Sequence, residues 1–129
     1  MSSKRIVHTP SAPAAIGPYN QAVVAAGLVH CSGQIALDPE SGELLGSTAA
    51  EQAERAIQNL CAVLAAAGSA PERALKCTLY LADMGEFAAV NAVYECTFGG
   101  EHAPARATVA AAGLPKGALF EIDCVALVD

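Results

Sequence analysis

Arg106 is the last of the chain's four arginines and lies in Pro104-Ala105-Arg106-Ala107-Thr108, among small residues. A planar, permanently charged fork in that setting suits a carboxylate ligand, held through two charge-assisted hydrogen bonds worth roughly 1.5–3 kcal/mol each. An ordinary ion pair with Glu101 or Glu121 is the commoner use of such an arginine. Glu121 and Asp123 stand two residues apart in an alternating segment, which puts both carboxylates on one strand face about 6.5–7 Å apart. Paired carboxylates can do acid–base work, although a solvated strand face more often explains them. Gly33, in Ser32-Gly33-Gln34 at the end of another candidate strand, admits either a ligand approaching the backbone N–H or a bulge. Asn91 beside an apolar helical stripe is a boundary polar group or a ligand donor, and Tyr19 is a ligand contact or a packing aromatic.

Other chemistries have no residues to carry them. His8, His30 and His102 are scattered, without H-x-x-x-H, H-E-x-x-H or mixed Cys/His spacing, so neither a metal site nor a cofactor is expected. The nucleophile elbow G-x-S-x-G, the phosphate loop and the dinucleotide fingerprint G-x-G-x-x-G do not occur. Thirteen acidic against seven basic residues give a net charge of −6, which repels a polyanion and leaves no basic stripe for nucleic acid.

The elements that must position these residues follow from periodicity. Arg5–His8 reads as a short strand, and the prolines between Thr9 and Pro18 impose an extended loop. Ala22–Ala26 and Leu28–Gln34 flank Gly27 as a hairpin, and Asp38-Pro39-Glu40-Ser41-Gly42 supplies a turn. Thr48 with Glu51 is a capping box for a helix whose apolar stripe runs from Ala49 to Ala67 and stops at Gly68. Leu75, Cys77, Leu79 and Leu81 alternate as a strand face. Asp83 with Glu86 repeats the capping pattern before a second helix carrying Phe87, Val90, Val93, Tyr94 and Phe98, closed by Gly99-Gly100. Ala105–Ala110 and Phe120–Val128 complete the order βββαβαββ. Two helices with one stripe each cover one face of a six-stranded sheet, so the other face needs a second subunit.

Composition agrees with that. At 129 residues the chain is one domain, residues 1–129. Charged residues make up 16%, against about 25% in soluble domains, which points to surface buried in an oligomer. Twenty-nine residues are alanine, and Leu, Ile, Val and Phe together number 30, enough for one core. The five cysteines, Cys31, Cys61, Cys77, Cys96 and Cys124, never form C-x-x-C and read as buried small hydrophobes in a reducing compartment. Lys4 and Arg5 are followed by a proline-broken stretch rather than an apolar signal core, and no apolar run approaches the 18 residues of a membrane span. A cytoplasmic protein without a membrane partner is the expectation.

The segments AIGPYNQA (15–22), CSGQIALDPESGEL (31–44), DMGEFAAVNAVY (83–94), PARATV (104–109) and LPKGALFEID (114–123), in this order, resemble the RidA family, also called YjgF-like or L-PSP proteins. Asn20, Cys31 and Thr108 stand where other residues are common in that pattern. The resemblance covers nearly the whole chain and implies a chorismate-mutase-like α+β fold: a six-stranded mixed sheet with two helices on one face, assembled as a homotrimer with a ligand cleft at each subunit interface. It implies metal-independent hydrolysis of reactive enamino and imino acids, such as 2-aminoacrylate, 2-iminopropanoate and 2-iminobutanoate, to 2-oxo acids and ammonia. It places Arg106 as the carboxylate clamp and Tyr19, Ser32, Gly33, Asn91, Thr108 and Glu121 in the same cleft; our own mechanistic expectation is that Glu121, with Ser32, positions the attacking water and moves protons. A non-catalytic small-molecule sensor or stress-activated chaperone is the alternative that the fold alone leaves open, and an endoribonuclease or translation inhibitor is disfavoured by the charge.

Overall fold

The computed structural model describes residues 3–129. Its strands are β1 (Arg5–Val7), β2 (Ala22–Ala25), β3 (Leu28–Gln34), β4 (Ala74–Leu81), β5 (Ala105–Ala110) and β6 (Phe120–Leu127), with helices α1 (Ala49–Ala67) and α2 (Phe87–Phe98). They form one sheet in the order β1-β2-β3-β6-β4-β5, in which only β4 and β5 run parallel. The last strand of the chain therefore lies in the middle, between β3 and β4.

Local chemistry sets most boundaries. The hairpin between β2 and β3 turns on Ala26 (φ 52°) and Gly27 (φ 78°), two positive φ values in succession whose twist matches that of the strands. Helix α1 starts at the Thr48 box: the Thr48 hydroxyl accepts from Glu51 N–H, and the Glu51 carboxylate accepts from Thr48 N–H. It ends where Gly68, at φ 85°, caps the last turn in the left-handed region.

Alternation places Cys77, Leu79 and Leu81 of β4 and Phe120, Ile122, Cys124 and Ala126 of β6 on one buried face. The helices cover that face with Ile57, Leu60, Val63 and Leu64 of α1 and Val90, Tyr94 and Phe98 of α2. Leu75 departs from the expected pattern and is exposed, because the ladder shifts register between Ala74 and Lys76 and Ala74 takes the inward position. Asp83 departs as well. Its carboxylate accepts from Gly85 N–H at 2.9 Å and starts a 3-10 turn, Met84–Glu86, so α2 begins after Glu86 without a side-chain cap. The reading of all five cysteines as buried holds for Cys31, Cys77 and Cys124; Cys61 is half-buried and Cys96 exposed, because they face outward from the helical layer.

The opposite sheet face carries Glu121, Asp123, Val125 and Leu127 of β6 beside Lys76, Thr78 and Tyr80 of β4, and among the described residues no α-helix or strand packs over it. Ile6, Leu75, Val109 and Leu127 are among the large apolar side chains left exposed. Among the described residues no helix is long and apolar enough to cross a membrane.

Buried Asn59 joins α1 to the segment after β3. Its amide donates to Ile35 O at 3.1 Å and Leu37 O at 2.9 Å, and its carbonyl accepts from Arg55. Asn59→Ala orphans both carbonyls and is expected to cost about 2–3 kcal/mol, read as a lower urea midpoint at fixed protein concentration.

Candidate functional site

The sequence-derived candidates fall into two groups on opposite faces of the sheet. Arg106, on edge strand β5, pairs in register with Cys77 and so lies on the helix side, facing α2. Its Nη1 donates to Asn91 Oδ1 at 2.6 Å, and the guanidinium carbon sits 5.1 Å from the Tyr94 ring centroid and 5.3 Å from that of Phe87. Two aromatic rings and one amide thus hold the guanidinium without neutralising it. Among the described residues Arg106 makes no ion pair, so the anticipated alternative of a bridge to Glu101 or Glu121 is not formed. Thr108 follows on the same side, and its hydroxyl, like that of Tyr94, is buried without a hydrogen-bond partner. An unpaired cation beside unused hydroxyls has the chemistry of an anion site.

Tyr19, Ser32, Gly33 and Glu121 line a cavity of about 570 Å³ beside the central strands β3 and β6, together with Ile16 and Lys116. Buried Gln21 shapes it: the side-chain carbonyl accepts from Thr9 N–H at 2.7 Å, and the amide donates to the carbonyls of Thr9, Ala12 and Pro13, pinning the proline loop that carries Tyr19. Ser32 Oγ donates to Asn20 O at 2.5 Å, which leaves this hydroxyl only its lone pairs for a ligand.

The β3–β6 ladder shifts register between Cys31 and Gln34, so a bulge does place Ser32-Gly33. Gly33 is needed there for room. A Cβ at this position would stand 2.0 Å from Glu121 Oε2, so the carboxylate lies directly against the glycine. Burial, and secondarily the charge of Asp123, raise the Glu121 pKa above the ordinary carboxylate value. Asp123 accepts from the Tyr80 hydroxyl at 2.8 Å.

Within one chain these groups cannot share a small ligand. Arg106 and Glu121 lie two strands and three residues apart, roughly 14 Å along the sheet, and on opposite faces. Asn91 and Thr108 belong with Arg106; Tyr19, Ser32 and Gly33 belong with Glu121. Phe87, Tyr94, Gln21 and Lys116 were not anticipated as parts of the site. The first two read as core residues from their spacing, and only the strand order brings Arg106 over their rings. Burial pushes the Cys31 pKa up to about 12, whereas hydrogen bonding from Cys124 shifts that of buried Cys77 down. Among the described residues no group of three or more His, Cys, Asp or Glu could hold a metal ion.

The family model described as Endoribonuclease L-PSP matches residues 9–128. The chain belongs to the RidA (YjgF/L-PSP) family. It is 49% identical over 125 residues to a RutC family protein of Synechocystis, covering 96% of each chain. It is 43% identical over 124 residues to the 2-iminobutanoate/2-iminopropanoate deaminase of Mus musculus, covering 96% of this chain and 91% of the mouse protein. The crystal structure of RidA from an Antarctic Psychrobacter superimposes with a TM-score of 0.91 at 38% identity, over 96% of this chain and 99% of that one. The six-stranded mixed sheet with two helices on one face is thus the RidA family fold.

Proposed function

We propose that this RidA-family chain hydrolyses 2-imino acids, and the enamines that tautomerise to them, to 2-oxo acids and ammonia. The observation that carries the reading is the unpaired Arg106 guanidinium held between Asn91, Phe87 and Tyr94. It serves as a carboxylate clamp, and the deaminase name of a relative at 43% identity supplies the substrate class.

The cleft is completed by a second copy of the chain. Edge strand β5, the uncovered sheet face and its exposed Leu127, Val109 and Leu75 are the surfaces that a homotrimer buries. In this assembly Arg106, Asn91 and Thr108 of one copy face Tyr19, Ser32, Gly33 and Glu121 of the next.

Arg106 grips the substrate carboxylate with both arms of its fork and fixes the C=N carbon. The Glu121 carboxyl, whose pKa burial shifts upward, gives its proton to the imine nitrogen, which makes the carbon more electrophilic. The resulting carboxylate takes a proton from water as the water oxygen attacks, forming a carbinolamine. Glu121 then returns this proton to the nitrogen, the C–N bond breaks as ammonia leaves, and the carbinolamine hydroxyl gives its proton to the Glu121 carboxylate as the C=O bond forms, which restores the acid. One imino acid and one water yield one 2-oxo acid and one ammonia. Imines react with water unaided, so positioning and one proton relay suffice, and no strong nucleophile is required. The net charge of −6 argues against an RNA substrate.

The test is to generate 2-iminopropanoate and 2-iminobutanoate with an amino-acid oxidase in the presence of semicarbazide, which traps free imine. The protein is expected to suppress trapping in proportion to its concentration while 2-oxo acid and ammonia form. Tight carboxylate binding without suppression would replace the deaminase with a sensor.

A further inference from the structure

Beside the cleft lies an arrangement that the mechanism above does not use. Tyr80 of β4 stands directly opposite Glu121 in the β4–β6 ladder, on the uncovered face, while its hydroxyl reaches along β6 to donate to Asp123 Oδ2 at 2.8 Å. Asp123 is two residues from Glu121 on the same face, with strand geometry spacing the pair by about 6.5–7 Å. The Asp123 carboxylate is thus tied by the Tyr80 hydroxyl on the same strand face as the proposed proton carrier. On its other side the Glu121 carboxylate lies against Gly33, where a Cβ would stand 2.0 Å from Oε2.

We infer that Asp123, locked by the Tyr80 hydroxyl, is a positioning residue whose charge adds to burial in favouring the protonated form of Glu121, so that with substrate bound it can act first as an acid. This rests on the deaminase reading. The physical reason is the repulsion between like charges: ionising Glu121 creates a second negative charge on a half-buried strand face where the first is held by a hydrogen bond. The remaining groups facing Glu121 are few. Ser32 and Gly33 of β3 are uncharged, and Thr78 beside Tyr80 is neutral. Lys116 and the Tyr19 phenol line the cavity from its loops, and His30 lies farther along β3, opposite Val125. Lys116 has Gly42 O at 3.5 Å as its hydrogen-bond acceptor. In the assembled cleft Arg106 of a second copy adds a cation, which the substrate carboxylate offsets on binding.

The test follows the Glu121 carboxyl directly, by carbon-13 NMR titration of the full-length protein labelled at glutamate, with the signal identified by its loss in Glu121→Gln. Removing the like charge in Asp123→Asn is expected to lower the Glu121 midpoint by about one pH unit. Asp123→Glu restores it, and Tyr80→Phe, which frees the Asp123 carboxylate to water, lowers it by less. The alkaline limb of the kcat profile for 2-iminobutanoate should move to lower pH by the same amount, with KM nearly unchanged. An unmoved Glu121 midpoint in Asp123→Asn, or a uniform loss of kcat at every pH, overturns the inference. A wild type that titrates as described and shows no turnover overturns the deaminase reading instead, while the midpoints still decide the coupling.

Discussion

Arg106→Ala is expected to lower kcat/KM for 2-iminobutanoate at least about a hundredfold while leaving the protein folded and assembled. Two charge-assisted hydrogen bonds to the substrate carboxylate, taken at the lower end of their range because the side chain is exposed, amount to roughly 3 kcal/mol, and each 1.4 kcal/mol is a tenfold change. Stability should move little, since the guanidinium has no ion-pair partner among the described residues and its single hydrogen bond goes to Asn91. Arg106→Lys keeps the charge but loses the fork and much of the contact with the Phe87 and Tyr94 rings, so it should fall between wild type and alanine. Steady-state kinetics with the trapping assay, beside sedimentation and thermal unfolding, separate the two effects. Loss of folding in Arg106→Ala would make the arginine structural.

Glu121→Gln should act on the other half of the chemistry. The amide has the same shape and fits against Gly33, but it neither donates an acidic proton nor accepts one from water. A fall in kcat of about a hundredfold or more is expected with KM nearly constant, since general acid–base groups typically contribute that much and the carboxylate clamp is untouched. An equal rise in KM would instead make Glu121 a binding group.

How much of this was legible before the structure depends on how local each signal is. The Thr48–Glu51 box, the Gly68 stop and the Ala26-Gly27 hairpin were readable because each is a contest among neighbouring residues. Leu75 misled because alternation carries no mark of a bulge, and the register shift at Ala74/Lys76 is a compromise with the β6 strand. Asp83 misled because its carboxylate has two partners in reach, and Gly85 N–H two residues away wins over the helix start.

The candidate residues themselves were named from motifs, but not their division. That Arg106 and Glu121 belong to opposite faces follows from β6 inserting between β3 and β4 and from β5 taking the edge, a long-range order that periodicity does not contain. Gly33 was read as a site for a ligand or a bulge. Its spatial role, making room for the Glu121 carboxylate, became visible only once the bulge was set against β6. Gln21 was merely polar in the sequence, whereas its burial under the proline loop makes it the anchor of Tyr19's segment.

The central claim is that one cleft combines Arg106 of one copy with Glu121 of another. Arg106→Ala and Glu121→Gln chains, each nearly inactive alone, should be unfolded together, refolded in equal amounts and assayed by imine trapping. With a cleft shared between neighbours, about a quarter of the interfaces in random trimers receive both intact residues, and activity should return to roughly that fraction of wild type. If the mixture stays as inactive as its components although mixed assemblies have formed, both residues serve a site within one chain, and the two-copy cleft is wrong.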